Sequence, residues 1–528
     1  MDQPWDIPQM WKWVEIKSLG EIVAGGTPST KEASYWGNDV NWISPADLTG
    51  YTKKTIARGA KSVSHQGLAK SSAKLMPAGS IHFSSRAPIG YVVISSQPLS
   101  TNQGFKSLVP SQWLFNEYVY YYLKAAKHIA EERASGTTFR EISGSAFGKL
   151  PFPFAPLSEQ HQIVAKVEEL FSELDNGIES LKKAREQMKT YRQAVLKYAF
   201  EGKLTKEWRI RQKELGNSPE PAEKLLERIT KERERHYQRQ LEDWKKACEQ
   251  AKTAGKKSPP KPKKQKELPP LKEKELAELP NLPERWGWCR LGYLSYLITK
   301  GASPNWQGFN YVTDPNQILF ITSENIKNNY IDLDSPKYLE NAFSLKQKNS
   351  ILQYGDVLLN IVGASIGRAA IYNLNFNANI NQAVSLIRLV DSSLRSFISI
   401  FLNTSFATEY YNSKKVDFAR ANLSLVDVSN IPIPLCSKEE SNLLASEIES
   451  RLSVCDKLEK TIEDSLKKAE ALRQSILKKA FNGELTQEWR EKHPELISGE
   501  NSAESVLARI RAEKDKTHRR GAKSAEGK

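Results

Sequence analysis

The chain has 528 residues, length for three or four domains, and a formal charge of +15 with a pI near 9.3, which favours a polyanionic partner such as nucleic acid or an anionic membrane. Its four cysteines show neither CxxC spacing nor paired histidines, so neither a metal centre nor a disulfide framework is expected. No leader-like N-terminus and no apolar run of 18 residues is present, and a reducing cytoplasm is the expected compartment.

In chain order, the strand-like Trp11-Lys-Trp13-Val14-Glu-Ile16 leads to a turn at Gly25-Gly26-Thr27-Pro28-Ser29. Short β-like runs continue to Asn102-Gln103; a helix-like run spans 114–132 and a polar loop carries Arg140. Pro151-x-Pro153 marks a domain exit, because proline interrupts a ladder or a helix. A long helix then starts, with Ser158 as its expected N-cap. Val167, Leu174, Leu181, Met188 and Val195 recur every seven residues, with Leu170, Ala184, Tyr191 and Tyr198 between them. That pattern predicts a heptad seam on a rod of roughly 65 Å.

Residues 210–280 read as a charged helix followed by a lysine- and proline-rich extended spacer. The first plan then returns: Trp286 and Trp288, a turn at Gly301, Gly355–Arg368, Asn381-Gln382, a helical run over 392–414, a loop with Arg420 and Asn422, and Pro432-x-Pro434. A looser seam follows, Ile448, Cys455, Ile462, Ala469 and Ile476 with Leu444, Leu458 and Leu472, and the tail after Lys514 is basic and expected to be disordered. The clearest repeat is 192–209 against 473–490, where twelve of 18 positions are identical. An offset of 281 is too long for a solenoid and means two domain-sized halves whose helices pair.

Chemistry is sought without success. No Gly-x-x-x-x-Gly-Lys-Ser/Thr loop occurs, no Asn/Asp-Pro-Pro-aromatic element, and no HxxH pair; Glu15-Ile-Lys17 lacks an acidic partner. A basic chain without a catalytic constellation reads as a binding subunit, with no catalytic residues and no metal.

The exit Pro151-x-Pro153 with Leu157-Ser158-Glu159-Gln160, the Ala-Phe-x-Gly-x-Leu-Thr motifs at 199–205 and 480–486, and Gly-Thr-Pro-Ser at 26–29 resemble the specificity (S) subunits of type I restriction–modification systems. The likeness covers about residues 9–515, and the second exit departs from it, with Ser437-Lys438-Glu439-Glu440 where glutamine is typical. It implies an α/β fold of two mixed α/β target-recognition domains, each followed by a long helix, the helices forming an antiparallel coiled coil with pseudo-two-fold symmetry. The expected boundaries are 1–156 and 281–435 for the recognition domains, 157–209 and 436–490 for the conserved helices, 210–280 for the linker and 491–528 for a short helix and tail.

By the same resemblance the chain is non-catalytic and binds double-stranded DNA, two modification subunits and two restriction subunits. S-adenosylmethionine, ATP and Mg then belong to the partners. Two unlike domains predict a bipartite, asymmetric target. Phosphate candidates are Arg86, Arg140, Arg368 and Arg420 with the amides of Gly25, Gly26 and Gly301; base readers are Thr27, Ser29, Asn102, Gln103, Asn381, Gln382 and Asn422. Arg192, Leu196, Phe200, Leu204, Arg473, Leu477, Phe481 and Leu485 are expected to hold the partner subunits. A stand-alone DNA-cleaving enzyme and a coiled-coil protein adaptor are the alternatives; binding to random duplex libraries discriminates them.

Overall fold

Short strands followed by one long helix occur twice along the chain. The computed structural model describes residues 3–136, 140–265, 267–414 and 422–525. The long helices are α1 (Leu157–Phe200), α2 (Ala222–Thr253), α3 (Lys438–Phe481) and α4 (Ala503–Ala525). Contacts divide the chain into two units, 1–183 with 462–528, and 184–461. Each unit therefore takes the start of one 44-residue helix and the end of the other.

In the first unit a five-stranded sheet runs in the order Gly20–Ala24, Phe105–Pro110, Ile81–Ser84, Val92–Ser95, Thr55–Ile56, antiparallel except for the last pair. A three-stranded sheet pairs Trp36–Ile43 parallel to Leu99–Thr101 and antiparallel to Ser62–Val63. The second unit has an antiparallel four-stranded sheet, Ser295–Lys300, Val384–Leu389, Val357–Asn360, Ala369–Ile371. Its other sheet pairs Ile318–Ile321 parallel to Ala378–Ile380. Parallel pairing demands a long crossover, and in both units the crossover returns the chain just ahead of the Asn-Gln pair.

The proline exits differ from expectation, because the prolines lie inside ladders. Pro151–Phe154 pairs antiparallel with Lys12–Glu15, and Pro432–Leu435 with Gly287–Arg290. In a two-stranded ribbon alternate N–H groups face away from the partner, so alternate positions accept proline without losing a ladder bond. The outward carbonyl of Pro153 accepts a 2.7 Å hydrogen bond from the Tyr118 hydroxyl, and that of Pro151 accepts one from Tyr122.

Within each unit the helix segments run antiparallel. Asp175 pairs with Arg473, whose guanidinium lies 4.7 Å from the Phe171 ring centroid; Arg192 reaches Asp456 at 2.5 Å and Glu459 at 3.1 Å. One stripe of the predicted seam is buried: Val167, Val195, Leu444, Ile448, Cys455, Ile462, Ala469 and Ile476. Tyr191, Tyr198, Leu458 and Leu472 of the second series are exposed, since a contact between two helices covers a narrow stripe and these positions lie beyond its edge.

The repeated motif closes each unit with the same set of contacts. In the first, Glu159 is fully buried and accepts from Trp11 Nε1 at 2.8 Å and Thr486 Oγ1 at 2.8 Å, and it pairs with Arg490. In the second, Glu440 is 1% exposed and accepts from Trp286 Nε1 at 2.9 Å, Thr205 Oγ1 at 2.6 Å and Arg209 Nη1 at 2.5 Å. Each arginine also donates to a glycine carbonyl of its own motif, Gly483 or Gly202. A buried carboxylate survives only with its charge and lone pairs satisfied, and here three donors converge on each.

This geometry also corrects the reading of the second exit. Glu440 stands where Glu159 does, and Ser441 takes the place of Gln160. Ser158 is not the N-cap; it lies in the first turn of α1 and its hydroxyl donates to Leu496 O at 2.7 Å. The spacer has no regular structure over most of 254–272 yet is anchored: Trp244 Nε1 donates to Pro259 O at 2.8 Å, Lys264 pairs with Glu234 at 2.9 Å, and Arg290 donates to Pro269 O at 2.8 Å. Helix α4 continues through Lys514 to Ala525, into the segment expected to be disordered.

Candidate nucleic-acid interface

Loops from sequence-distant positions meet at one place in each unit. In the first, the Gly25-Gly26 turn is pressed against the strand end at 101–105. Gly25 N donates to Phe105 O at 3.3 Å and Gly26 N to Thr101 O at 2.8 Å. A side chain at Gly25 would place its Cβ 1.8 Å from Asn102 O, so only glycine fits. The turn presents Thr27, whose hydroxyl donates to Gln103 Oε1.

Asn102 closes the turn beneath these residues. Its N–H donates to Ile43 O at 2.9 Å and its Oδ1 accepts from Gly104 N at 2.9 Å. Gln103 is exposed beside it, and Ser29 is exposed while its carbonyl accepts Trp36 Nε1 at 3.1 Å. The loop with Arg86 joins through Ser85 N to Gly104 O, 2.7 Å, and Ile142 N to Ser85 O, 3.1 Å.

The second unit repeats the arrangement. A Cβ at Gly301 would lie 1.7 Å from Ile380 O. Asn381 N donates to Ile321 O at 3.0 Å and its Oδ1 accepts from Ala383 N at 3.1 Å, leaving Gln382 exposed. Asn422 bridges Val362, and Leu423 N donates to Ile361 O at 2.9 Å, so the loop bearing Asn422 joins the loop before Arg368. Arg368 is exposed and its side chain has no ion pair among the described residues. Arg420 lies outside the described residues.

The structure thus gathers Gly25, Gly26, Thr27, Asn102, Gln103 and Arg86 in one unit and Gly301, Asn381, Gln382 and Asn422 in the other. It also shows which groups are already engaged. The amides of Gly25 and Gly26 are donated internally and are not open to phosphate, because the turn folds under the strand end. The Oδ1 atoms of Asn102 and Asn381 close turns. Arg86 pairs with Glu141 at 3.4 Å, and Arg140 donates to Glu131 O at 2.6 Å.

Lys106, 7% exposed, lies beneath this surface and reaches Glu141 at 3.0 Å. Burial pushes the Glu141 carboxyl up, while Lys106 and Arg86 with the Ser85 hydroxyl pull it down, leaving it below the usual carboxylate range.

Sequence reasoning passed over a cationic rim. Lys53, Arg58, Lys61, Lys70 and Lys74 are exposed and form no ion pair among the described residues; Lys61 lies 5.5 Å from the Trp36 ring centroid. The loop at 72–73 touches Gly26, which places the Lys70 and Lys74 end of this rim beside the readers. The signal that would have found it is the absence of any acid between Asp47 and Glu117. No cluster of metal-ligating side chains occurs among the described residues, and no helix among them is long and apolar enough to cross a membrane.

Six of the eight candidate partner-contacting residues turn inward. Leu196 and Phe200 are buried in the core of the second unit, Phe200 lying 5.3 and 5.1 Å from the rings of Phe397 and Phe401. Leu477 and Phe481 are buried in the first, Phe481 lying 5.1 and 5.3 Å from Tyr118 and Tyr122. Leu204 and Leu485 are half-buried against the same cores, and Arg192 and Arg473 are held by carboxylates. Much of the 18-residue identity thus serves contacts made inside the chain.

The family model described as "Type I restriction modification DNA specificity domain" matches twice, at residues 8–184 and 290–468. The specificity subunit of the type I restriction enzyme MjaIX of Methanocaldococcus jannaschii is 39% identical over 34% of this chain and 41% of its own length. The EcoBI specificity subunit of Escherichia coli is 28% identical over 79% of this chain and 76% of its own, and the EcoKI specificity subunit of E. coli K12 is 23% identical over 96% of each. Among solved structures, the HsdS subunit of Thermoanaerobacter tengcongensis superposes with a TM-score of 0.53 at 17% identity, covering 92% of this chain and 99% of that one. A chain from a type I R-M system, from a study of complex assembly and conformational transition, gives 0.61 at 17% identity over 91% and 100%.

Proposed function

The chain belongs to the type I restriction–modification DNA specificity family, and from that premise we propose that its two loop clusters each read one half of a bipartite DNA target. The carrying observation is the pair of matching clusters with unlike contents: Thr27, Gln103 and a lysine rim in one, Gln382, Asn422 and Arg368 in the other. A common backbone plan positions both, while different side chains ask for different bases. Such a chain contributes recognition and no catalysis. Exchange of residues 1–156 for those of a relative tests this reading. One half-site of the methylation pattern should change and the other persist; joint change of both would end it.

Two modification subunits are proposed to dock on the repeated segment, carrying S-adenosylmethionine, with two restriction subunits supplying ATP- and Mg-dependent cleavage. With Leu196, Phe200, Leu477 and Phe481 engaged internally, docking falls to identical positions that remain exposed, Gln193, Lys197 and Glu207 with Gln474, Lys478 and Glu488. Charge reversal of Lys197 alone should release one modification subunit in native mass spectrometry, and reversal of both Lys197 and Lys478 should release two. Undiminished retention in the double variant would move the docking site elsewhere.

A further inference from the structure

Trp306 is the most exposed large apolar side chain among the described residues, at 91%, while the other eleven tryptophans are buried or half-buried. The turn that carries it is tightly held. Gln307 N and Phe309 N donate to Pro304 O at 2.8 and 3.0 Å, Gly308 N donates to Asn305 O at 3.2 Å, and Gly308 has φ +82°. Phe309 anchors the far side at 5.4 Å from the Phe343 ring, and Lys346 Nζ donates to Gln307 O at 2.9 Å. A rigid turn that leaves an indole in water forgoes the burial that tryptophan ordinarily obtains, and the loss is recovered only on binding.

The position of the turn identifies the occupant. Gly301 and Pro304 repeat the spacing of Gly25 and Pro28, and both prolines are buried. In the first unit this loop bears Thr27, bonded to the candidate reader Gln103; in the second, Gly301 packs on the carbonyls of 380–381, next to Gln382. Trp306 occupies the site that Thr30 holds in the other loop. We infer that Trp306 is a base-reading side chain of the second recognition domain, its apolar edge meeting a base pair in the groove. This rests on the recognition reading above. Apolar contacts to base edges are an established source of sequence discrimination.

The test uses the full-length chain co-purified with its partner subunits and selection from a random duplex library, comparing wild type with Trp306→Ala and Trp306→Phe. The alanine variant should bind the wild-type consensus about tenfold more weakly. It should lose discrimination at one or two adjacent pairs of the half-site read by residues 281–435, with the other half-site unchanged. The phenylalanine variant should keep the consensus. An unchanged consensus in the alanine variant, or weakening uniform across all sequences, overturns the proposal; so does loss of a partner subunit in place of a changed consensus. A wild-type chain that selects no consensus removes the recognition reading itself, and Trp306 with it.

Discussion

Residues 48–116 of the first recognition domain contain eight lysines and arginines and no acid. The second domain, 281–435, sets thirteen basic residues against eleven acids and carries nineteen asparagines, where residues 1–156 have four. Its surface also exposes Trp306, Tyr330, Tyr354 and Phe376, whereas among the described aromatics of the first only Tyr51 is exposed, at 37%. Phosphate contact supplies affinity without sequence information, and amide or apolar contact supplies the reverse. If both domains read DNA as proposed, the first therefore contributes more of the grip and the second more of the discrimination.

If the domains differ only at their surfaces, their internal supports should break alike. Glu159→Ala and Glu440→Ala each leave an arginine unpaired in a buried setting, and each should cost about 3–5 kcal/mol. Amide hydrogen exchange should show the loss confined to the first unit for Glu159 and to the second for Glu440. Unequal costs would mean that the supports themselves have diverged.

The grip should show in salt dependence. Replacing Lys53, Arg58, Lys61, Lys70 and Lys74 by glutamine should lower the slope of log affinity against log salt by up to about 4, at roughly 0.9 per phosphate contact. Titration of binding against salt measures it; a change below 1 would place DNA away from this rim. Discrimination should show in single readers. Gln382→Ala should cost about 1–3 kcal/mol against the cognate site and relax one position of the second half-site, read by competition among single-base variants.

The smallest effect lies at Glu141. Its carboxyl is depressed by its cationic neighbours, so it stabilises the fold above its ordinary value of 4.5, and that contribution is lost as pH falls through the folded value. Glu141→Gln should flatten the decline in stability below about pH 4.5 and raise nonspecific DNA affinity by releasing Arg86 and Lys106, both measurable by acid titration and gel shift.

The duplicated plan, the Gly25 and Gly301 turns and the Asn-Gln pairs were legible in the sequence because local rules set them: a glycine where the backbone is crowded, a turn-closing asparagine, a seven-residue period. The closure of Glu159 by Arg490 was not, since its partners stand 331 positions apart and no local pattern links them. The same long-range closure hid the true task of Phe200 and Phe481, whose identity across the repeat suggests surface contact until the cores they fill are seen. The ladder prolines escaped because proline signals interruption unless the partner strand is known.

Assembly from distant stretches has a consequence for synthesis. The middle unit, 184–461, is one unbroken stretch, and all its parts have left the ribosome before the chain ends. The first recognition domain emerges earlier yet waits for 462–525, so the pocket that Phe481 fills stands open while the whole of 184–461 is made. At about 5–20 residues per second that delay is on the order of half a minute. A stop codon soon after residue 461 would thus damage the first recognition domain and spare the second.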